Sequence, residues 1–128
     1  MSMKNQVIGW VEVPVVNMER AIKFYETVFD FKIERQQMGD LDMGWFPWVP
    51  EGTGSGGSLV LHPDYVPAKI GVFVYFTCHS GDLSNELARV EEAGGIVLKD
   101  KTLISEEHGY EARILDTEGN RIALHSNK

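Results

Sequence analysis

Two stretches of this chain, about 65 residues apart, repeat one pattern: a strand, an amphipathic helix, then two or three short strands. The first copy opens with Ile8–Val15 and continues through Asn17–Phe29. The second opens with Val72–Cys78 and continues through Asp82–Ala93. Short amphipathic helices each need a sheet to cover, so the repeat predicts an α+β domain rather than a helical bundle. The expected layout is a single domain over residues 1–128. It holds a first module at residues 6–62, a linker at 63–70 with two prolines, and a second module at 71–128.

In the first helix Met18, Ile22, Tyr25 and Phe29 recur at helical spacing, with Ala21 and Val28 beside them. Asn17 stands where a cap belongs, and Asp30 ends the run. Asp82 caps the second helix. Leu83, Leu87, Val90 and Ala93 form its apolar face, and Gly94–Gly95 stops it. Strands are expected from Phe31, across Met43–Trp48, over Ser58–His62, at Gly71–Cys78 and at Ile96–Leu98. Tyr110–Leu115 and Arg121–His125 make a final hairpin, and Lys101–Gly109 reads as a polar loop. Eight or nine strands make a large sheet. If each module curls its sheet, the concave face is a ready cavity, lined from alternate strand positions.

The formal charge of −7 argues against nucleic acid and anionic membranes, both of which need basic patches. No apolar run approaches the roughly 18 residues of a spanning helix. Cys78 is the sole cysteine, so no disulfide forms within one chain, and a cytoplasmic setting is expected. A buried, inert thiol is expected there. Met1–Gln6 is polar and too short for a signal peptide.

The segments Ile8-Gly9-Trp10-Val11-Glu12-Val13-Pro14-Val15 and Met18-Glu19-Arg20-Ala21-Ile22-Lys23-Phe24-Tyr25-Glu26 resemble the vicinal oxygen chelate superfamily. So do Leu87–Gly95 and Leu115–Ile122. This is the glyoxalase, bleomycin-resistance and extradiol-dioxygenase group. The resemblance covers nearly the whole chain. It implies two βαβββ modules around a cupped mixed sheet, commonly a homodimer, with sites in the cups. It also implies four metal-ligand positions: Trp10, a residue near Val60 or Leu61, another near Val74, and Ala123. None of these side chains grips a metal, so no metal and no cofactor are expected.

Glu12 is the candidate catalytic residue, because a carboxylate on the Trp10 side of the strand would face the cup. It could move a proton or anchor an amine. Trp10, Trp45, Trp48, Tyr75 and Tyr110 are candidate ligand-binding rings, suited to a flat or hydrophobic small molecule. Trp45 and Trp48 are an odd number apart and should face opposite sides of a regular strand. Arg121 and His125 share the Ala123 side and could hold an anion. Three functions compete. The first is metal-independent binding of a small molecule. The second is a lyase or isomerase working through Glu12 or a displaced metal, which needs His62 or His125 beside Glu12. The third is a structural or regulatory subunit with a filled cup.

Overall fold

The computed structural model describes residues 3–128; Met1 and Ser2, at the start of the polar N-terminal segment, lie outside it. The first module runs β1 (Trp10–Pro14), α1 (Met18–Phe29), β2 (Glu34–Met38), β3 (Leu41–Trp45) and β4 (Gly56–Leu61). The second runs β5 (Tyr75–Thr77), α2 (Leu83–Leu87), β6 (Ile96–Ser105), β7 (Gly109–Leu115) and β8 (Arg121–Ser126). Each module is therefore βαβββ, as the repeat implies. Each sheet is mixed: order β1-β4-β3-β2 in one and β5-β8-β7-β6 in the other, with the first pair parallel and the rest antiparallel.

The eight strands form two sheets of four, one per module. β1 and β5 stand at the edges of their own sheets and do not pair with each other. The cause lies in the core. Val13 and Leu59 from one sheet, and Ile114 and Leu124 from the other, pack into a single apolar cluster with Phe24, Tyr25 and Val28 of α1. Both sheets turn their helix-bearing faces inward to share that cluster. Their other faces stay open.

The N-caps stand where the sequence places them, but α2 ends at Leu87 with Ala88 as its C-cap, short of the Gly94–Gly95 stop that was expected. The Asn17 side chain accepts from the Arg20 amide at 3.1 Å, and Asp30 closes α1 in the left-handed conformation at φ 55°. Asp82 accepts from the Ser84 amide at 2.9 Å. Cys78 is buried, and burial pushes its thiol up to about 12, so it is inert at neutral pH.

The turn of the last hairpin joins the modules. Asp116, in the β7–β8 turn, accepts from the Tyr25 hydroxyl at 2.6 Å. Asn120 donates to the Pro14 carbonyl at 2.7 Å. Glu118 accepts from the amides of Val16 and Asn17, both at 2.9 Å, and from Arg20 Nε at 2.8 Å. This turn is the main polar seam between the two halves.

Two strand expectations need correction. Lys101–Ser105 continues β6 as strand rather than loop, with register shifts along its pairing to β7. β5 is three residues long, shorter than Gly71–Cys78, and Gly71 sits at φ 117° where an extended strand could not continue.

Candidate functional site

Alternation along β1 turns Val11 and Val13 toward the core and leaves Trp10 and Glu12 on the open face. Pairing sets Trp10 opposite Gly56, and both Glu12 and Trp45 opposite Ser58. The Trp10 and Trp45 rings meet at 4.9 Å, tilted by 59°. β3 stops at Trp45 and Pro47 interrupts the run, so Trp48 escapes the alternation that would have placed it opposite Trp45. It folds over Gly56 instead. A Cβ at Gly56 would lie 2.8 Å from the Trp48 ring and 3.1 Å from Trp10, so only glycine leaves room for the pair. Trp10, Trp45 and Trp48 thus gather around one end of the first open face.

Glu12 is exposed on the isolated chain. Its charge, with burial second, raises the pKa of Tyr65, which reaches over from the linker. His62 turns to Asp40 at 3.0 Å, and His125 Nε2 meets the His108 carbonyl. Neither histidine joins Glu12.

On the second open face Tyr75 pairs with Ala123, and Thr77 with His125. Arg113 also pairs with Ala123, and Arg121 lies one step along the same side. The two guanidinium carbons each sit 5.1 Å from the centre of the Phe73 ring, which meets Tyr75 edge-on at 5.4 Å. Glu111 bonds Arg113 at 2.8 Å and Lys99 at 3.3 Å. The Arg113 hydrogen bond, opposed by burial, holds the Glu111 carboxyl below its usual range. Arg121 has no carboxylate partner among the described residues. Tyr110 is the one candidate ring that turns the other way. It packs against the core under Lys101 Nζ, 4.5 Å from its centre.

Three buried side-chain polar atoms lack a hydrogen-bond partner among the described residues: Trp45 Nε1, Ser58 Oγ and Arg121 Nε. The first two share the tryptophan face, and the third lies on the arginine face. Between the β1 and β5 edges runs a cleft of about 470 Å³, lined among others by Val11, Phe46, Trp48, Tyr75 and Phe76.

Residues 7–124 match the Glyoxalase/Bleomycin resistance protein/Dioxygenase superfamily. The chain belongs to this family. Solved structures agree on the fold. Glyoxalase I from Zea mays superposes with a TM-score of 0.67 at 20% identity; the match covers 92% of this chain and 45% of the maize protein. The chain therefore spans less than half of that enzyme. A glyoxalase/bleomycin resistance protein from Albidiferax ferrireducens T118 gives 0.66 at 18% identity, covering 96% and 100%. TnmS3, an antibiotic binding protein from Streptomyces sp. CB03234, gives 0.62 at 25% identity, covering 99% and 100%. No curated protein matches the chain.

The pairing register sets Gly56 opposite Trp10 and Ala123 opposite Tyr75. The side chains at the positions the resemblance implies, Trp10, Val60 or Leu61, Val74 and Ala123, do not make a divalent-metal donor set. No group of three or more His, Cys, Asp or Glu side chains converges among the described residues. This family member lacks the usual metal ligands. No helix among the described residues is long and apolar enough to cross a membrane.

Sequence reasoning passed over Ser58 and Tyr65. Ser58 sits in an apolar strand and Tyr65 between two prolines, and neither position announces which face it joins.

Proposed function

We propose that this protein binds a small, flat, largely apolar molecule on its open sheet faces and needs no divalent metal to do so. One observation carries the reading. Three tryptophans converge on the face where the family places its ligands, and two remain wet, Trp10 at 38% and Trp48 at 65% exposure. Large rings left uncovered beside a cleft are the usual furniture of a ligand site. The antibiotic-binding relative, which aligns along its entire length, supports the same class of function.

All the tryptophans of the chain lie in this cluster, so their emission reports directly on occupancy. Planar aromatic compounds should quench and shift it. Trp10→Ala should weaken binding about tenfold, the loss expected of one stacked ring and its buried area. Chelator should change nothing. Binding that disappears with chelator, or one tightly held divalent ion per purified chain, would sink this reading in favour of a lyase or isomerase. Glu12 is the residue such an enzyme would use, and Glu12→Gln would then abolish turnover while sparing affinity. A filled, purely structural fold sits poorly with the open cleft.

The reading includes a homodimer. β1 and β5 both present unpaired strand edges, which isolated proteins seldom tolerate. Ile8, Ile70, Val72 and Tyr75 flank those edges and are all exposed. A second copy would cover them and bring the tryptophan face of one chain up to the arginine face of the other. Light scattering should give twice the 14.4 kDa of one chain. A monomer throughout the micromolar range would remove the dimer from the account.

A further inference from the structure

We propose that the bound molecule carries a carboxylate, and that Arg121 receives it, with Arg113 alongside over the Phe73 ring. This inference rests on the binding function proposed above and names the chemistry of its ligand. The argument starts from the unpartnered atoms. Trp45 Nε1 and Arg121 Nε are donors only, and Ser58 Oγ can donate. Leaving a buried donor unpaired costs about 1–3 kcal/mol, so native folds rarely do it. Here all three lie on the open faces, and none lies in the shared core. A site that presents donors without matching acceptors is shaped for an acceptor-bearing guest.

Charge narrows the guest further. The second open face holds Lys99, Arg113 and Arg121 against a single acid, Glu111. Glu111 is shared by Lys99 and Arg113, which leaves the face two positive charges in surplus, and Arg121 is the cation among them with no carboxylate partner among the described residues. A guanidinium offers two parallel donors in a plane, which is the geometry of a carboxylate. The Phe73 ring holds that plane in place. The surplus is local, because the chain as a whole is at −7 and would repel anions at a distance. Recognition therefore depends on contact, and in the dimer proposed above a flat acid would meet both requirements: rings for the tryptophans of one copy, a carboxylate for Arg121 of the other.

The test uses 2-naphthoate and its neutral isostere 2-naphthamide, titrated calorimetrically into the full chain at about pH 7, where the acid is fully ionised. The wild type should prefer the naphthoate by about tenfold or more, the discrimination of a charge-assisted pair over a neutral one. Arg121→Met should erase the preference while still binding the amide as the wild type does. Arg121→Lys, which keeps the charge but not the fork, should retain part of it. Thermal unfolding of each variant separates a lost contact from a lost fold. If the wild type binds both probes equally, or if the preference survives in Arg121→Met, the carboxylate assignment is wrong and the planar-ligand reading stands. If neither probe binds, both readings fall. A different result would also overturn it: no preference in the wild type, with Glu12→Gln and Arg121→Met each loosening the dimer. Arg121 would then belong to the carboxylate of a second copy.

Discussion

Asp116→Ala should cost about 3–5 kcal/mol of folding stability, read as a fall in the urea midpoint at unchanged slope. The carboxylate is 4% exposed and serves four donors. Oδ2 takes the Tyr25 hydroxyl at 2.6 Å and Asn120 Nδ2 at 3.0 Å; Oδ1 takes the amides of Glu118 at 2.8 Å and Asn120 at 2.9 Å. Truncation strands all four donors in a place water reaches poorly. Tyr25 itself is fully buried against Phe24, Phe29, Phe46 and Phe76, and burial, with the Asp116 charge second, drives its phenol pKa far up. Tyr25→Phe removes one donor and leaves Asn120 on the same oxygen, so it should cost only about 1 kcal/mol. A loss below about 1 kcal/mol for Asp116→Ala would mean that packing alone holds the modules together. The larger value means that the hairpin turn sets how the halves sit, and with it the geometry of the β1 and β5 edges.

The sequence carried the repeat, both helix N-caps and the identity of the last hairpin, because these depend on local chemistry. Asn17 and Asp82 cap because their short side chains reach the backbone amides that follow, whatever the rest of the chain does. What it could not carry were distances between elements. Lys101, Thr102 and Ser105 look like part of a loop because they are polar, yet an outer strand beside water needs such residues to discourage further pairing. Register was hidden for a similar reason. Nothing in Gly56-Gly57-Ser58-Leu59-Val60 says which residue meets Trp10, and a shift of one position would turn Ser58 to the core.

The candidate site divides the same way. Its ring types were readable; their faces were readable only where a strand is regular. Trp10, Tyr75, Arg121 and His125 follow the alternation and reach the open faces. Trp48 departs from it after Pro47, and Tyr110 turns inward because the register of β7 pairs it with Ser126 on the core side. The packing of the two modules against each other was least readable of all. It arises from Tyr25, Phe29 and Phe76 packing across the modules, contacts separated by some 50 residues of sequence.

Acid should weaken this fold through Glu118. Its side chain is fully buried beneath a half-exposed Arg20. Burial alone would raise its pKa, but hydrogen bonds from Arg20, Val16, Thr117 and Asn17 outweigh that and hold it below the usual carboxylate range. A depressed carboxyl stabilises the folded state wherever it is ionised in both states. That contribution is complete above the unfolded value and drains away as pH falls through the folded one. Glu118→Gln should therefore cost about 2–3 kcal/mol near pH 7, since the amide cannot accept from two backbone N–H groups and an arginine at once. The gap between wild type and Glu118→Gln should hold steady down to about pH 5 and close as the pH drops toward 3. Glu111 and Asp82, whose pKa values are also depressed, contribute to the acid sensitivity of both proteins and cancel in that difference. A gap that stays constant from about pH 6 to pH 3 would show that Glu118 acts by shape rather than by charge. If it closes as expected, the link between the last turn and the start of α1 is electrostatic. Since Glu118 also sits at the amino end of α1, where the helix dipole favours a negative charge, one protonation would then loosen both the helix start and the seam between the modules.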